Sequence, residues 1–226
     1  MSTFVMIHGG GGGAWDWHLV AEPLRAHGHD VVAMDLPTDV SADLSDYVDA
    51  VEDAIADRTD LIVVGHSFGG FTAPLVCDRV PVDLLVLLTA MIPAPGEPPD
   101  EWWTGTNYRE VVSSLERVGD SDDPMDVYYH DVPRELAEES LRRERAHPGG
   151  PLDKPWPLDA WPSVPTKFLV CCDDRLFPPE FMLRVVRDRL GIVADEIEGG
   201  HCVYLSRPKE LAERLIAYAA EVGTSG

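Results

Sequence analysis

Positive charge is what this sequence has least of. Against 40 Asp and Glu there are only 18 Lys and Arg, and the formal net charge is −22 at pH 7. A chain this acidic repels phosphate backbones and anionic membranes, which argues against nucleic acid or a membrane as partner. Its plain physical consequence is solubility. Long apolar runs are also missing: nothing approaches the ~20 residues that a membrane span needs. Cysteine is scarce, with four in 226 residues. Cys77, Cys171, Cys172 and Cys202 include no pair at zinc-ligand spacing and read as reduced core residues of a cytoplasmic protein. No metal site is expected from them. Met1-Ser2-Thr3 runs directly into Phe4-Val5-Met6-Ile7 without a basic leader, so no secretory signal is read there. There is no internal repeat, low-complexity tract or break in composition. One domain with an inserted subdomain is the expectation.

What is present is organised around Val63-Val64-Gly65-His66-Ser67-Phe68-Gly69-Gly70. The apolar, β-branched run Leu61–Val64 reads as a buried strand. Phe71 to Val76 can continue as a helix. A turn between them holds its central residue in a strained conformation, and Gly65 and Gly69 let the two chains pass closely. The pattern G-x-S-x-G thus presents the Ser67 hydroxyl at a strand end, with a helix N-terminus behind it. A glycine-rich turn with a capping serine is the plainer reading of those residues alone.

Five more apolar runs read as strands: Phe4–Ile7, Asp30–Asp35, Val82–Thr89, Thr166–Cys172 and Val193–Ile197. Helical spacing marks 42–58, where Leu44, Tyr47, Val48, Val51 and Ile55 share a face, and also 179–190 and the segment from Pro208. Gly9 to Gly13 follow the first strand. No Lys-Ser/Thr pair follows them, so they are not a phosphate loop. From about 91 to 165 the strand period disappears. Prolines cluster at 93–99 and 155–165, and helices are expected over about 107–118, with Tyr108, Val111, Val112, Leu115 and Val118, and over 133–146. We read 93–160 as an inserted helical cap on a core formed by 1–92 and 161–226. Six strands alternating with helices make an α/β fold with a mainly parallel sheet. Sites in such folds lie beyond the carboxyl ends of the strands. Gly9-Gly10, Ser67, Asp173-Asp174 and His201 all follow a strand.

Those placements suit nucleophilic catalysis. A serine hydroxyl needs a base within hydrogen-bond reach. Of the eight histidines, His201 is the candidate, on a glycine-flanked loop after the last strand. His66 reads as a packing residue, and His18, His27 and His29 as surface residues. His8 sits on the rim, where it is expected to make a supporting hydrogen bond. His130-Asp131 reads as a local interaction at a helix start, with substrate contact as the alternative. The imidazole needs a carboxylate to fix its tautomer. Asp174, further into its loop, is taken before Asp173. The order Ser, Asp, His is that of α/β-hydrolases. Oxyanion donors are expected from the N–H groups of Phe68 and Gly10. Trp15, Trp102, Trp103 and Phe177 are candidates for a substrate pocket. Packing of cap against core is the other reading of the 102–103 pair.

With these motifs in place, the chain resembles an α/β-hydrolase of the branch that holds plant methyl esterases, hydroxynitrile lyases and related bacterial esterases. The resemblance rests on His8-Gly9, Ala14-Trp15-Asp16-Trp17, Gly65 to Gly70, Leu169 to Asp174, Pro178 to Phe181 and Gly200-His201. It covers nearly the whole chain and fades from about 93 to 160. It implies catalysis by Ser67, Asp174 and His201, a first oxyanion donor at Gly10, and no cofactor. The function expected is a serine esterase cleaving a small carboxylic ester or lactone, as a monomer or homodimer. A cyanohydrin lyase and a receptor-like binding protein with a residual triad are the alternatives. Where the lyases carry lysine after the histidine, this chain has Cys202. Where they carry threonine after the first-strand histidine, it has Gly9.

Overall fold

The apolar runs separated by helix-length segments assemble into one parallel sheet, as the alternation requires. A computed structural model describes residues 1–114, 123–147 and 150–223. The strands are β1 (Thr3–Ile7), β2 (Asp30–Ala33), β3 (Leu61–His66), β4 (Leu84–Leu88), β5 (Thr166–Cys171) and β6 (Asp195–Ile197). Their order across the sheet is β2-β1-β3-β4-β5-β6, and every neighbouring pair is parallel. β1, β3 and β4 are buried along their whole length, which is why they read as unbroken apolar runs and not as alternating ones.

The period of two still sorts the strands' side chains between two cores. Phe4, Met6, Ile62 and Val64 face α1 (His18–Ala26) and the C-terminal helix α11 (Pro208–Gly223). Val5, Ile7, Val63 and Phe168 face α2 (Leu44–Ile55), α3 (Gly69–Arg79) and α9 (Pro179–Leu190). α2 is shorter than the 42–58 expected. Asp43 caps it, accepting the N–H groups of Ser45 at 2.8 Å and Asp46 at 3.3 Å, and Ala56 ends it in the left-handed region at φ 51°. β2 stops at Ala33, and Asp35 instead accepts the Ala14 N–H at 2.8 Å. α1 is preceded by a 3-10 turn over Ala14–Trp17.

Between β4 and β5 lie α4 (Trp102–Gly105), α5 (Tyr108–Ser114), α6 (Pro124–Val127), α7 (Arg134–Arg142) and α8 (Gly150–Asp153). No strand occurs there among the described residues. Leu115 and Val118, assigned above to the first of these helices, lie outside the described residues. The second ends at Arg142 and not at 146 because Arg143–His147 is claimed by contacts elsewhere. The Arg145 N–H donates to the Gly11 carbonyl at 2.9 Å, and its guanidinium to Asp35 at 3.2 Å and to the Leu36 carbonyl at 3.1 Å.

α10 (Val203–Ser206) follows β6 on the way to α11. Among the described residues no helix is long and apolar enough to cross a membrane. All four cysteines are unpaired, but only Cys171 and Cys202 are buried. Cys77 is part-exposed but packs against the core, whereas Cys172 is part-exposed and is not the core residue expected.

Candidate active site

Ser67 sits where β3 gives way to α3, and its φ of +51° lies in the left-handed region that side chains resist. The surroundings hold it there. Its N–H donates to the Leu88 carbonyl at 3.3 Å, and its carbonyl accepts from Gly70 at 3.1 Å and Met91 at 2.9 Å. Gly65 has no room for a side chain: a Cβ would lie 2.9 Å from the Gly69 carbonyl oxygen and 2.8 Å from the Ala73 methyl. At Gly70 a Cβ would collide with the Met91 carbonyl oxygen. The glycines at these positions are what allow helix, strand and the chain after β4 to meet at the serine.

His201 reaches the same point from the loop after β6. Its Nε2 lies 3.0 Å from Ser67 Oγ, and its Nδ1 lies 2.8 Å from Asp174 Oδ2. A carboxylate only accepts, so Nδ1 carries the proton and Nε2 is free to receive one from the hydroxyl. Asp174 is buried, and both its oxygens are fully used. Oδ1 accepts the N–H groups of Leu176 and Phe177, each at 2.9 Å. Oδ2 accepts the Thr89 hydroxyl at 2.6 Å as well as His201. Asp173 is exposed and turned away. The rings packed on His201 are those of His66, Phe177 and Tyr128, at 4.8, 5.4 and 5.6 Å. All three are uncharged at neutral pH. Burial and the neighbouring His201 hold His66 well below the ordinary histidine range, and burial raises the Tyr128 hydroxyl.

Several supports were not legible in the sequence. His66 does more than pack: its Nε2–H donates to the His201 carbonyl at 3.0 Å. His130 and Asp131 neither start a helix locally nor face substrate. His130 donates to the Asp173 carbonyl at 2.9 Å, and Asp131 accepts the Gly200 N–H at 2.8 Å. They latch the β4–β5 segment to the two loops that carry Asp174 and His201. Thr89, with φ +37°, ends β4 and points its hydroxyl at Asp174. Its only signal was its place at a strand end on the same rim. His8 behaves as expected for a supporting residue, accepting the Leu36 N–H at 3.1 Å and donating to the Gly9 carbonyl at 2.7 Å.

A cavity of about 900 Å³ opens over Ser67 and His201. Gly10, Phe68, Trp15, Trp103 and Phe177 line it. Trp102 does not: it is fully buried, donates its indole N–H to the Ile92 carbonyl at 3.0 Å, and packs on Phe177 and Phe181. The expectation that it contacts substrate is corrected. The N–H groups of Gly10 and Phe68 donate to no acceptor among the described residues.

A parallel sheet with serine, aspartate and histidine brought together at its carboxyl rim, in that chain order, has the architecture of an α/β-hydrolase. The chain belongs to the alpha/beta hydrolase family, whose model matches residues 4–214. Among curated proteins it is similar to norfluorocurarine synthase 1 from Strychnos sp, at 25% identity over 97% of this chain and 96% of that one. It is similar also to the probable esterase PIR7A from Oryza sativa subsp. indica, at 28% identity over 96% and 97%. Among solved structures it shares the fold of polyneuridine aldehyde esterase, with a TM-score of 0.81 and 23% identity over 97% of this chain and 99% of that one.

Proposed function

We propose that the protein is a serine esterase, cleaving a carboxylic ester through an acyl-enzyme on Ser67. The observation that carries this is the unbroken hydrogen-bond path from Ser67 Oγ through His201 to a buried, fully satisfied Asp174. His201 Nε2 takes the hydroxyl proton as Oγ bonds to the ester carbonyl carbon. The N–H groups of Gly10 and Phe68, residues that line the cavity, are the donors this reading assigns to the oxygen that becomes negative. The tetrahedral adduct collapses by breaking the bond to the alcohol oxygen, which receives the proton from Nε2. Water, deprotonated by the same nitrogen, then attacks the acyl carbon and frees Ser67. Asp174 keeps the imidazole in the required tautomer and stabilises the imidazolium. The segment 93–160 acts as a cap that supplies Trp103 and Tyr128 to the cavity.

The lyase reading is disfavoured at Cys202. Release of cyanide calls for a cation beside the histidine, and burial pushes the Cys202 thiol up, so it stays neutral. The test is labelling with a fluorophosphonate, followed by a panel of short-chain aryl esters. Ser67→Ala is expected to abolish both labelling and turnover while leaving the thermal transition in place. Turnover within tenfold of the parent would overturn the reading. Release of aldehyde from mandelonitrile, lost in Ser67→Ala and without ester hydrolysis, would replace it with the lyase.

A further inference from the structure

The cavity wall contains a carboxylate that this mechanism does not use. Asp16 is only 7% exposed, lies on the 3-10 turn before α1, and lines the cavity. One oxygen, Oδ2, accepts the Gly13 N–H at 3.1 Å and so caps that turn. The other, Oδ1, receives no donor among the described residues. It is not among the buried side-chain atoms sealed from solvent without a partner, so it opens to the cavity.

None of the neighbouring hydroxyls bonds Asp16. Tyr129 and Ser140 bond each other at 3.1 Å, and Tyr204 donates to the Cys202 sulfur at 3.3 Å. No cation answers the charge, since the charged group that acts on Asp16 is another acid, Asp35. Burial raises the Asp16 carboxyl to about 6, so at pH 8 it is ionised. An ionised, buried carboxylate with a single hydrogen bond is costly unless something supplies further donors.

We propose that this wall is a subsite for a hydrogen-bond donor, a hydroxyl or an ammonium group carried by the substrate away from its ester, with Asp16 Oδ1 as the acceptor. The inference rests on the serine-esterase reading and narrows its substrate class. Part of the cavity supplies the contrast: Met91, Trp103, Leu152, Leu176 and Phe177 offer only apolar surface or rings, while Asp35, Arg143, Glu144, Arg145 and His147 add charged and polar groups to the lining. A substrate that fills both parts has an apolar or aromatic body on one side and a donor on the other.

The test uses two matched series at pH 8. One is 4-nitrophenyl esters whose acyl chain ends in methyl, hydroxymethyl or aminomethyl. The other is acetate esters whose alcohol chain ends in the same groups. In at least one series the parent protein is expected to show kcat/KM about tenfold higher for a donor-ended ester than for the methyl-ended one. Preference for the hydroxyl alone assigns a neutral donor, and preference for the ammonium assigns a cation.

Asp16→Asn keeps an oxygen for the Gly13 N–H but turns an NH2 group into the cavity. In that variant the ratio is expected to fall below about two. A parent ratio of one or less in both series, or a ratio that survives in Asp16→Asn, overturns the proposal. If the parent cleaves no ester at all, the esterase reading fails by itself. Calorimetry with the corresponding non-cleavable amides then judges the subsite. Tighter binding of the donor-ended amide that is lost in Asp16→Asn upholds it, and equal binding of both amides overturns it.

Discussion

The sheet rim and the segment between β4 and β5 are held by different means. At the rim, Ser67 and Thr89 are fixed by backbone hydrogen bonds between adjacent strand ends, and Asp174 by four donors. The segment between β4 and β5 is held largely by separate side-chain anchors. The Trp156 indole donates to the Phe71 carbonyl at 3.0 Å and the Tyr108 hydroxyl to the Leu176 carbonyl at 2.6 Å. Glu97 forms a part-buried ion pair with Arg189 of α9, 2.7 Å between Oε1 and Nη2. The difference teaches where chemistry and selectivity reside. On the proposed reading, the reacting groups belong to the part that cannot shift without breaking the sheet. The cavity walls belong in part to a segment that is pinned at points.

The sharpest test of this contrast is at the acid. Asp174→Asn is expected to lower kcat by about 10⁴, as tautomer loss does in a serine protease. Asp173→Asn should cost less than tenfold, because the Asp173 carboxylate accepts only the Gly199 N–H, at 3.3 Å, and an amide oxygen can take its place. Steady-state kinetics on both variants decide it, and the reverse order would move the acid to Asp173. Next in size is Gly70→Ala, which adds no polar group and removes none. Its Cβ meets a backbone carbonyl with no freedom to yield, so destabilisation of at least about 3 kcal/mol is expected in chemical denaturation.

The latch is worth less. Asp131→Ala leaves the Gly200 N–H without its acceptor and is expected to cost about tenfold in kcat, with KM little changed. Asp131→Asn, which retains an acceptor, should recover most of it. If both variants match the parent, the segment does not position His201.

The smallest effect is in the pH dependence of stability. His8 and His66 both have folded-state values below the ordinary 6.5, chiefly through burial. Below that pH the unfolded chain binds more protons than the folded one, so stability falls as pH drops through 6.5 and below. Asp16, raised to about 6, works in the opposite sense between pH 6 and 4. His66→Gln keeps a donor for the His201 carbonyl but cannot titrate. It should flatten the acid loss of stability by up to about 1.4 kcal/mol per pH unit, read from urea transitions between pH 6.5 and 5. An unchanged slope would show that His66 takes up no proton on unfolding.

The same division explains what could be read in advance. Ser67 and Asp174 stand just beyond buried strands and His201 beyond the edge strand β6, each with glycine or proline within four residues, so strand pattern and turn chemistry located all three. The parallel direction of the strands followed from the alternation of elements; their order across the sheet did not. Thr89 was hidden because a threonine at a strand end carries no motif. Its role appears only when β4 and β5 lie side by side. The latch from Asp131 to Gly200 and the bond from His66 to the His201 carbonyl join residues 69 and 135 positions apart, which no local period encodes. Residues 143–147 have helix-compatible composition, but tertiary bonds to Gly11, Asp35 and Leu36 outweigh that weak preference.

The Thr89 N–H donates to the Leu169 carbonyl at 2.8 Å, and Leu88 pairs with that same residue in the sheet. The long excursion between β4 and β5 therefore leaves and re-enters through two strands already bound to each other. Its ends are closed whatever lies between them. Lengthening such a loop carries only a slow entropic penalty, roughly 0.6 kcal/mol per doubling. The chain is thus built like a tool with an exchangeable head. On the proposed reading, new substrates would be met by replacing the excursion without disturbing Thr89 or Asp174, provided the replacement carries an acceptor to the Gly200 amide where Asp131 now stands.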